Sequence, residues 1–459
     1  MSTKKLLILT AVFLALLAFV VFYERFLPTS EEAAKARKKL IDFKAETLSA
    51  LTIERPDLPK VELKKAGDRW LLAGEPADGA IASALVADLG RLDVVGETRS
   101  SFDPPELGLD VPRAKVILSF ADGHKAEILF GKEIPGSDTT AAAADGRFGA
   151  VRFAPVPSLV KSLDDFRSKT LFDVPSSEIT KITVSRGASR VVVSRASGAA
   201  EKRPGEWLTE EPVKDLASRS FVDQLLADLS SARVAEFPPA GTTDQAKVGL
   251  QPPVSTVDLM KGNEVVATLA FGAAKAEAAG KMYARRGKAV VVIDDRVQDD
   301  LAKEFTAFRE RKICPVDVWA TERVALEAGG ERFGAERVEG EWRSAGKTVP
   351  AAAVEDLLDR IGRIDAAAFV VRKEFPSLGL PALGKKLPPP SVSVEVSAKG
   401  EGPRSLRFYD APGASTPSLV VEVSGRAEAM KVDRSAVDEL KALAAKITPA
   451  ESRPAPPKK

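Results

Sequence analysis

Few segments of this chain have residue types at the spacing that a known chemistry requires. The clearest candidate runs from Gly340 to Thr348 and reads Gly-Glu-Trp-Arg-Ser-Ala-Gly-Lys-Thr, which is similar to a phosphate-binding P-loop. A P-loop has four residues between its glycines, so that its backbone N–H groups surround a phosphate, and a helix follows its last residue. Five residues separate Gly340 from Gly346. We therefore predict a strand here rather than a nucleotide site.

The chain has one histidine, His124, and one cysteine, Cys314. A lone thiol forms no disulfide within the chain and excludes a cysteine-rich zinc site. His124 follows Asp122-Gly123, a strong tight-turn signal that predicts an exposed turn residue rather than a general base. Cys314 precedes Pro315 at a predicted module boundary. Packing is favoured over nucleophilic chemistry there, because His124 is the only imidazole that could activate the thiol.

Acidic pairs occur at Asp294-Asp295 and at Asp299-Asp300, on either side of a predicted helix start. Their spacing is not that of a calcium loop, so helix-dipole complementarity and solvation explain them better. Distant carboxylates could still converge in the fold, which leaves carboxylate catalysis as an alternative. The sequence therefore predicts no catalytic residue, no cofactor-binding residue, no metal ligand and no cofactor.

The elements that would position such residues repeat along the chain. A strand that contains a tryptophan leads three times into a segment of helical periodicity: Asp68-Arg69-Trp70 into Ile81–Leu92, Gly205-Glu206-Trp207 into Phe221–Leu229, and Gly340-Glu341-Trp342 into Val354–Ile364. Successive tryptophans are 137 and 135 residues apart, which is the length of a domain. Because the apolar stripe recurs in every copy, we interpret the helices and the tryptophans as core rather than as a ligand site.

Each copy continues with the same elements. A glycine between two apolar residues, at Gly108, Gly249 and Gly379, predicts a structural turn, and an antiparallel hairpin follows it. Closing helices are predicted at Ser158–Phe166, Gln298–Phe308 and Ala436–Ile447. Basic exits follow the first two, Arg167-Ser168-Lys169 and Arg309-Glu310-Arg311-Lys312, which we interpret as helix-dipole complementarity. Asp78 and Thr348 are the predicted N-caps of the first and third covering helices.

Leu6 to Tyr23 is a run of 18 residues without charge, which is long enough to span a bilayer as a helix. The residues that follow offer no small-residue cleavage site, so we predict an uncleaved anchor. Glu31–Phe43 is predicted to form a short charged helix that serves as a stalk. The count of Lys and Arg on either side of the span favours a cytoplasmic position for the bulk of the chain.

The sequence thus predicts an α+β protein of three tandem modules, each of mostly antiparallel sheet with two helices, after an N-terminal transmembrane helix. The predicted modules span 46–174, 175–315 and 316–449, with the anchor and stalk at 1–45 and a disordered tail at 450–459. The net charge is only +2, from 67 basic and 65 acidic residues spread along the chain. Long-range attraction to nucleic acid is therefore weak, and we predict no nucleic-acid partner.

Several short motifs accompany the repeat. They are a Tyr-Glu pair after the span at Tyr23-Glu24, a Gly-x-Trp strand at Gly205–Trp207, Gly-Leu-x-x-Pro turns at Gly108 and Gly249, a Tyr-x-Arg strand at Tyr283–Arg285, and an Arg-x-Lys exit at Arg167–Lys169. Together they resemble the bacterial domain of unknown function 4340 family over the whole chain, in three tandem copies. The third copy departs most, since it lacks the Tyr-x-Arg strand and the basic exit.

The resemblance implies a single-pass protein of the inner membrane with the bulk of its chain outside the cytoplasm. It also implies a partnership with ABC transporter subunits of the gliding-motility class, and it brings no catalytic residues. We therefore predict a non-catalytic, membrane-anchored envelope protein with a binding or scaffold role, accessory to an ABC-type transporter, whose recognition surfaces lie between neighbouring modules. The alternative is a carboxylate-dependent envelope hydrolase that acts on a surface polymer.

Overall fold

A computed structural model describes residues 38–447, except 97, 100–103, 153–155, 197–204, 240 and 242, together with residues 12, 13, 16, 17 and 19. The chain divides into two compact units, Met1–Lys169 and Thr170–Lys459. Apart from five helical residues, the predicted span at Leu6–Tyr23 lies outside the described residues, as does the predicted tail. Within the described part of the chain, none of the helices combines the length and the apolar character needed to cross a membrane.

The first unit contains one sheet of eight antiparallel strands. Its strands are β1 (Leu48–Arg55), β2 (Leu58–Ala66), β3 (Arg69–Leu72), β4 (Glu75–Pro76), β5 (Ala114–Phe120), β6 (Lys125–Glu133), β7 (Thr139–Ala144) and β8 (Arg147–Arg152). They lie in the order β4-β3-β2-β1-β5-β6-β7-β8. The helices are α1 (Gly79–Gly90), α2 (Pro104–Leu107) and α3 (Val156–Leu159), with 3₁₀ turns at Ala45–Thr47 and Leu163–Phe166. We call this sheet and its helices module one.

The second unit contains two sheets of nine antiparallel strands, which we call modules two and three. Module two consists of β9 (Lys181–Arg186), β10 (Ser189–Arg195), β11 (Trp207–Glu211), β12 (Asp215–Leu216), α4 (Arg219–Ser231), β13 (Val234–Glu236), β14 (Ser255–Lys261), β15 (Glu264–Ala274), β16 (Lys281–Arg286), β17 (Ala289–Asp294) and α5 (Arg296–Leu301), with 3₁₀ turns at Ser176–Glu178 and Phe305–Phe308. The strand order is β12-β11-β10-β9-β14-β15-β16-β17-β13, so the first hairpins lie on one side of β9 and the later strands on the other.

Module three repeats this order strand for strand. It consists of β18 (Thr321–Ala328), β19 (Glu331–Val338), β20 (Glu341–Ser344), β21 (Lys347–Thr348), α6 (Ala351–Gly362), β22 (Ala368–Val370), β23 (Val392–Ala398), β24 (Arg404–Asp410), β25 (Ser418–Val423), β26 (Ala429–Asp433) and α7 (Arg434–Ile447), with a 3₁₀ helix at Arg372–Leu378. The order is β21-β20-β19-β18-β23-β24-β25-β26-β22. The predicted α+β class with mostly antiparallel sheet is confirmed, whereas the predicted module boundaries stay a prediction.

The tryptophan of each repeated strand lies in the core, as predicted. Trp70, Trp207 and Trp342 are 6%, 1% and 1% exposed, and each belongs to the same apolar cluster as the helix that covers its sheet. In modules two and three an arginine lies directly across the ladder from the tryptophan. The guanidinium carbons of Arg195 and Arg337 are 4.5 and 4.8 Å from the ring centroids of Trp207 and Trp342. A cation thus covers the rings of Trp207 and Trp342, each on the strand next to the edge of its sheet.

The glycine turns are structural, as predicted, and a second glycine explains why they recur. Gly108 and Gly249 have φ values of +66° and +67°, which a residue with a Cβ rarely adopts. A Cβ added to the facing Gly131 or Gly272 would lie 2.2 Å from the Leu107 carbonyl oxygen or 2.3 Å from that of Val248. The turn therefore packs against strand backbone that has no room for a side chain.

The prediction of one continuous closing helix is wrong for modules one and two. A four-residue helix α3 and a 3₁₀ turn stand where one helix was expected over Ser158–Phe166, and α5 ends at Leu301, ahead of a separate 3₁₀ turn. Arginines at the ends of β1 and β9 bind the carbonyls at each break. Arg55 donates to Leu159 O and Lys161 O at 2.9 and 2.5 Å, and Arg186 donates to Ala302 O at 2.6 Å.

Module three has no arginine at this position. Ala328 ends β18, and α7 continues without a break from Arg434 to Ile447, which confirms the third closing helix. An arginine at the end of the first strand thus accompanies each break in a closing segment.

Of the two predicted N-caps one is confirmed and one is wrong, and the predicted extent of the stalk helix is also wrong. Asp78 is the N-cap of α1, as predicted, and its Oδ1 accepts hydrogen bonds from the N–H groups of Ala80 and Ile81. Thr348 is not an N-cap, because it pairs with Arg343 in β21, and Pro350 precedes α6 instead. The predicted stalk helix does not reach Phe43. Leu40 is fully buried in the core of module one, and its N–H donates to Leu92 O.

Candidate functional site

The segment that is similar to a P-loop begins with a strand, as predicted, and continues into a hairpin. Glu341–Ser344 forms β20 and Lys347–Thr348 forms β21, and the two strands pair through Ser344 and Lys347. Ala345 and Gly346 turn the chain with φ values of +49° and +80°. The N–H groups of this segment therefore serve a sheet, and helix α6 begins only at Ala351.

His124 and Cys314 occupy the structural positions that the sequence predicts. His124 is an exposed turn residue whose ring stacks on Phe120 at 5.7 Å, and its backbone N–H donates to Asp122 Oδ1. Cys314 is 1% exposed and belongs to the core of module three. His124 lies in the first unit of the chain and Cys314 in the second.

The acidic pairs do not form a shared site. Asp294 pairs with Lys281 at 2.5 Å, while Asp300 lies near Asp228 of α4. Burial and the neighbouring Asp228 raise the pKa of Asp300 to about 6. Across the described residues, no three His, Cys, Asp or Glu side chains are placed to hold one metal ion.

A buried cluster of charged side chains joins modules two and three, and no sequence motif indicated it. The Asp215 carboxylate is fully buried and receives hydrogen bonds from Arg309 Nε at 2.9 Å and Nη2 at 2.5 Å. Arg426 Nε donates to its other oxygen at 2.5 Å. Arg309 Nη1 also donates to Glu428 Oε2 at 2.6 Å. We call these four residues the junction cluster.

Short secondary-structure elements place the cluster. Asp215 begins the two-residue strand β12, and Arg309 follows the 3₁₀ turn Phe305–Phe308 and bridges to Ala217. Arg426 and Glu428 come from the turn between β25 and β26 in module three. The Phe369 ring stacks 3.6 Å from the Arg309 guanidinium carbon and shields it from water.

The cluster also fixes the segment that connects the two modules. Arg426 Nη2 donates to Glu310 O at 2.6 Å, and its Nη1 donates to Lys312 O at 3.3 Å. Arg309 and Arg426 are only 3% and 5% exposed in their side chains. Helix-dipole complementarity is therefore the wrong interpretation of the basic exit at Arg309, whose guanidinium binds Asp215 instead. A buried carboxylate with two guanidinium partners is compensated, but it becomes costly when one partner is removed.

A groove of about 700 Å³ lies beside the junction cluster, between modules two and three. Leu208, Lys214 and Leu216 of module two face Pro403, Arg404 and Val423 of module three across it. Glu206 and Glu401 also line the groove. Its mixture of apolar surface and a few charged groups is typical of a ligand or peptide site, and its volume falls within the usual range of about 300–1,000 Å³.

Module three carries a second groove, of about 560 Å³, on the other side of the β25–β26 turn. Arg372, Arg407 and Glu422 line it, and Arg426 lines both grooves. Arg372 pairs with Glu422 at 2.7 Å, so part of its charge is already neutralised. The turn that supplies Arg426 and Glu428 to the cluster therefore separates two open surfaces.

A family model described as "Domain of unknown function (DUF4340)" matches residues 72–208 and 207–382. The chain belongs to the DUF4340 family. The first match runs from β3 to β11, which is one period from a tryptophan strand to the next, so the two matches support a tandem repeat. No curated protein matches the chain at a significant level. The DUF4340 matches cover Asp215 and Arg309, whereas Arg426 and Glu428 lie beyond residue 382.

Proposed function

We propose that this DUF4340 protein is a non-catalytic, membrane-anchored envelope protein with a binding or scaffold role, accessory to an ABC-type transporter. The observation that carries the binding role is the junction cluster, which holds modules two and three together beside an open groove. A groove with fixed walls loses little entropy when a partner binds, which favours recognition. The transporter as partner rests on the resemblance of the sequence motifs.

The groove offers a way to test this binding role in cells. A photoreactive amino acid at Lys214, which lines the groove, is expected to crosslink a transporter subunit. The matched control carries the same group at Lys288, a turn residue between β16 and β17 of the same module. Crosslinks to transporter subunits from Lys214 but not from Lys288 would support the proposal. Equal labelling at both positions, or none to any envelope or membrane protein, would contradict it.

The proposed location is the inner membrane, with one N-terminal span at Leu6–Tyr23 and the modules outside the cytoplasm. Protease treatment of intact spheroplasts is expected to degrade all three modules while a cytoplasmic control protein stays intact. Protection of the modules until the membrane is permeabilised would place them in the cytoplasm, as the count of basic residues favours.

An envelope hydrolase is the second candidate, because two carboxylates, Glu206 and Glu401, line the same groove from facing modules. Hydrolysis of a glycosidic bond uses two carboxyl groups about 5–10 Å apart. The double variant Glu206→Gln, Glu401→Gln would abolish release of sugars from a surface polymer if this candidate were right. Equal behaviour of the variant and the wild type in that assay would leave the binding role.

A further inference from the structure

The groove of about 700 Å³ beside the junction cluster, which we call the junction groove, has the outer face of the β11–β12 hairpin as its floor. Leu208 and Leu216 lie directly opposite each other across this antiparallel pair, and both are half-buried. Their neighbours Trp207 and Ala217 belong to the core of module two, so the two leucines point the other way, into the groove. The floor therefore offers one apolar patch to a ligand.

Charged side chains lie at the two ends of this leucine pair. Lys214 lines the groove at one end and Glu206 at the other. Within the described part of the chain no carboxylate pairs with Lys214, because the two oxygens of the nearby Glu210 are bound to other groups. They contact Lys181 Nζ and Ser194 Oγ, each at 2.7 Å. A negative charge on a ligand is therefore favoured at the Lys214 end and disfavoured at the Glu206 end.

The facing wall, from module three, carries charges that are already compensated. Arg404 pairs with Glu401 at 3.4 Å, and its Nη1 donates to Pro315 O at 3.2 Å. Arg426 is bound within the junction cluster. Among the described residues that line the junction groove, Lys214 is thus the cation left to pair with a carboxylate of a ligand.

The backbone of β12 is closed to a further strand, so recognition depends on side chains. Leu216 O accepts the Glu310 N–H at 2.9 Å, and the Ser218 N–H donates to Phe308 O at 2.8 Å. Lys214 and Leu216 are two residues apart and both line the groove, which separates them by about 6–7 Å along the strand. An extended peptide places its own alternate side chains on one face at the same distance.

We propose that the junction groove binds an extended peptide segment of the partner in which one residue separates an acidic residue from an apolar one. The apolar side chain packs on Leu208 and Leu216, and the acidic side chain pairs with Lys214. This inference rests on the proposed binding role and adds the chemistry of the partner. If the two ligand residues were adjacent, they would point to opposite faces, and only one of them would reach the floor.

Disulfide capture on the full-length protein measures this preference without a known ligand. Pro403→Cys places a thiol on the module-three wall, where Pro403 is exposed, and Ala427→Cys is a second attachment point. Each variant is equilibrated in a reducing thiol buffer with two competing peptides, in which Cys-Gly-Gly precedes the test sequence. Captured peptides are released by reduction and quantified by liquid chromatography and mass spectrometry. The wild type reports any capture at Cys314, which is buried.

The peptide ending in Glu-Ala-Leu is expected to be captured about two- to fivefold more than the one ending in Gln-Ala-Leu, the range of a partly exposed ion pair. It should exceed Glu-Leu-Ala roughly fourfold, the effect of about one additional buried methylene group. Lys214→Gln should remove the first preference and keep the second. Lys288→Gln is the matched control, because Lys288 is exposed on the β16–β17 turn, and it should keep both preferences.

Two results would overturn this proposal. The first is a preference for Glu-Ala-Leu over Gln-Ala-Leu that is absent at both attachment points or that Lys214→Gln leaves unchanged. The second is equal capture of Glu-Ala-Leu and Glu-Leu-Ala at both points, since an extended segment distinguishes these spacings.

The crosslinking experiment in cells tests the proposed function separately, because a photoreactive group at Lys214 lowers the affinity only by the same two- to fivefold factor. Crosslinks to a transporter subunit without any peptide preference would leave the binding role and refute this chemistry of the partner. A peptide preference without crosslinks would leave the chemistry and refute the transporter as partner.

Discussion

The junction cluster allows a sharp test of how modules two and three are joined. In the variant Asp215→Asn, a neutral amide replaces a fully buried carboxylate with almost no change in shape. Arg426 then keeps its positive charge at 5% side-chain exposure without the anion that compensates it, and Arg309, at 3%, keeps only Glu428 as its partner. The amide nitrogen also points a donor toward guanidinium donors.

The expected cost follows from this burial. Removing one partner from a buried ion pair costs about 3–5 kcal/mol, because the remaining charge is left without compensation. Glu336→Gln is the matched control, since Glu336 pairs with Arg323 at 3.1 Å while both side chains are more than half exposed. Such an exposed pair contributes less than about 1 kcal/mol. The two changes remove the same charge, so their difference measures the effect of burial.

Urea unfolding followed by tryptophan fluorescence measures both variants. With an m value of about 1–3 kcal/mol per molar urea, a cost of about 3–5 kcal/mol lowers the midpoint of the affected transition in Asp215→Asn by roughly 1–5 M. Modules that unfold together in the wild type should separate into two transitions in this variant, because the contact between them is weakened. Glu336→Gln should leave the curve nearly unchanged.

A further variant distinguishes the destabilisation caused by unpaired charges from that caused by lost packing contacts. Replacing Asp215, Arg309, Arg426 and Glu428 together by Leu, Met, Met and Gln removes all four charges of the cluster and should recover most of the lost stability, since apolar substitutes of buried ion pairs are often neutral or stabilising. If Asp215→Asn shifted the midpoint no more than Glu336→Gln does, the cluster would contribute nothing to the junction, and the reasoning would be refuted.

Three other predictions concern single positions. Gly272→Ala should lower the free energy of unfolding, measured by urea titration, by about 1–3 kcal/mol, because its Cβ would meet the Val248 carbonyl oxygen. Gly334→Ala is the control and should not lower it, because the space around Gly334 is open. Equal effects of the two substitutions would refute the packing argument. Arg55→Ala should cost about 2–3 kcal/mol in the same assay, since three carbonyls lose a charged donor. The exposed Arg69→Ala should change stability by less than about 0.5 kcal/mol. Trp319→Ser should remove most iodide-quenchable fluorescence without changing stability, because Trp319 is 80% exposed; unchanged quenching would contradict this exposure.

The sequence was most informative where the structure depends on local periodicity. The tryptophan strands, the covering helices and the glycine turns each repeat with a spacing that a single module determines, and all three were predicted correctly. The break in the closing segments was not, because the arginine that binds the freed carbonyls comes from a distant strand. Leu159 and its partner Arg55 are 104 residues apart. Apolar periodicity along one segment carries no information about such a partner.

The residues of the candidate site were harder to predict from the sequence for the same reason. Arg309 was noticed as part of a basic exit, but Asp215 stands in a Lys-Asp-Leu sequence that looks like an exposed turn. Its burial depends on Arg309, 94 residues away in the same module, and on Arg426 from another module. The general expectation of recognition surfaces between modules did point to the region, although nothing in the sequence identified the residues.

The junction cluster also affects the order in which the protein can be completed during synthesis. Asp215 and Arg426 are separated by 211 residues, and the turn that carries Arg426 lies between the last two strands. A nascent chain that has finished module two therefore has only Arg309 to pair with Asp215, and its apolar wall of Leu208 and Leu216 does not yet face module three, until almost the whole protein has emerged. Any product that stops before β26 keeps this surface open, which gives chaperones and proteases a direct means of distinguishing truncated chains from complete ones.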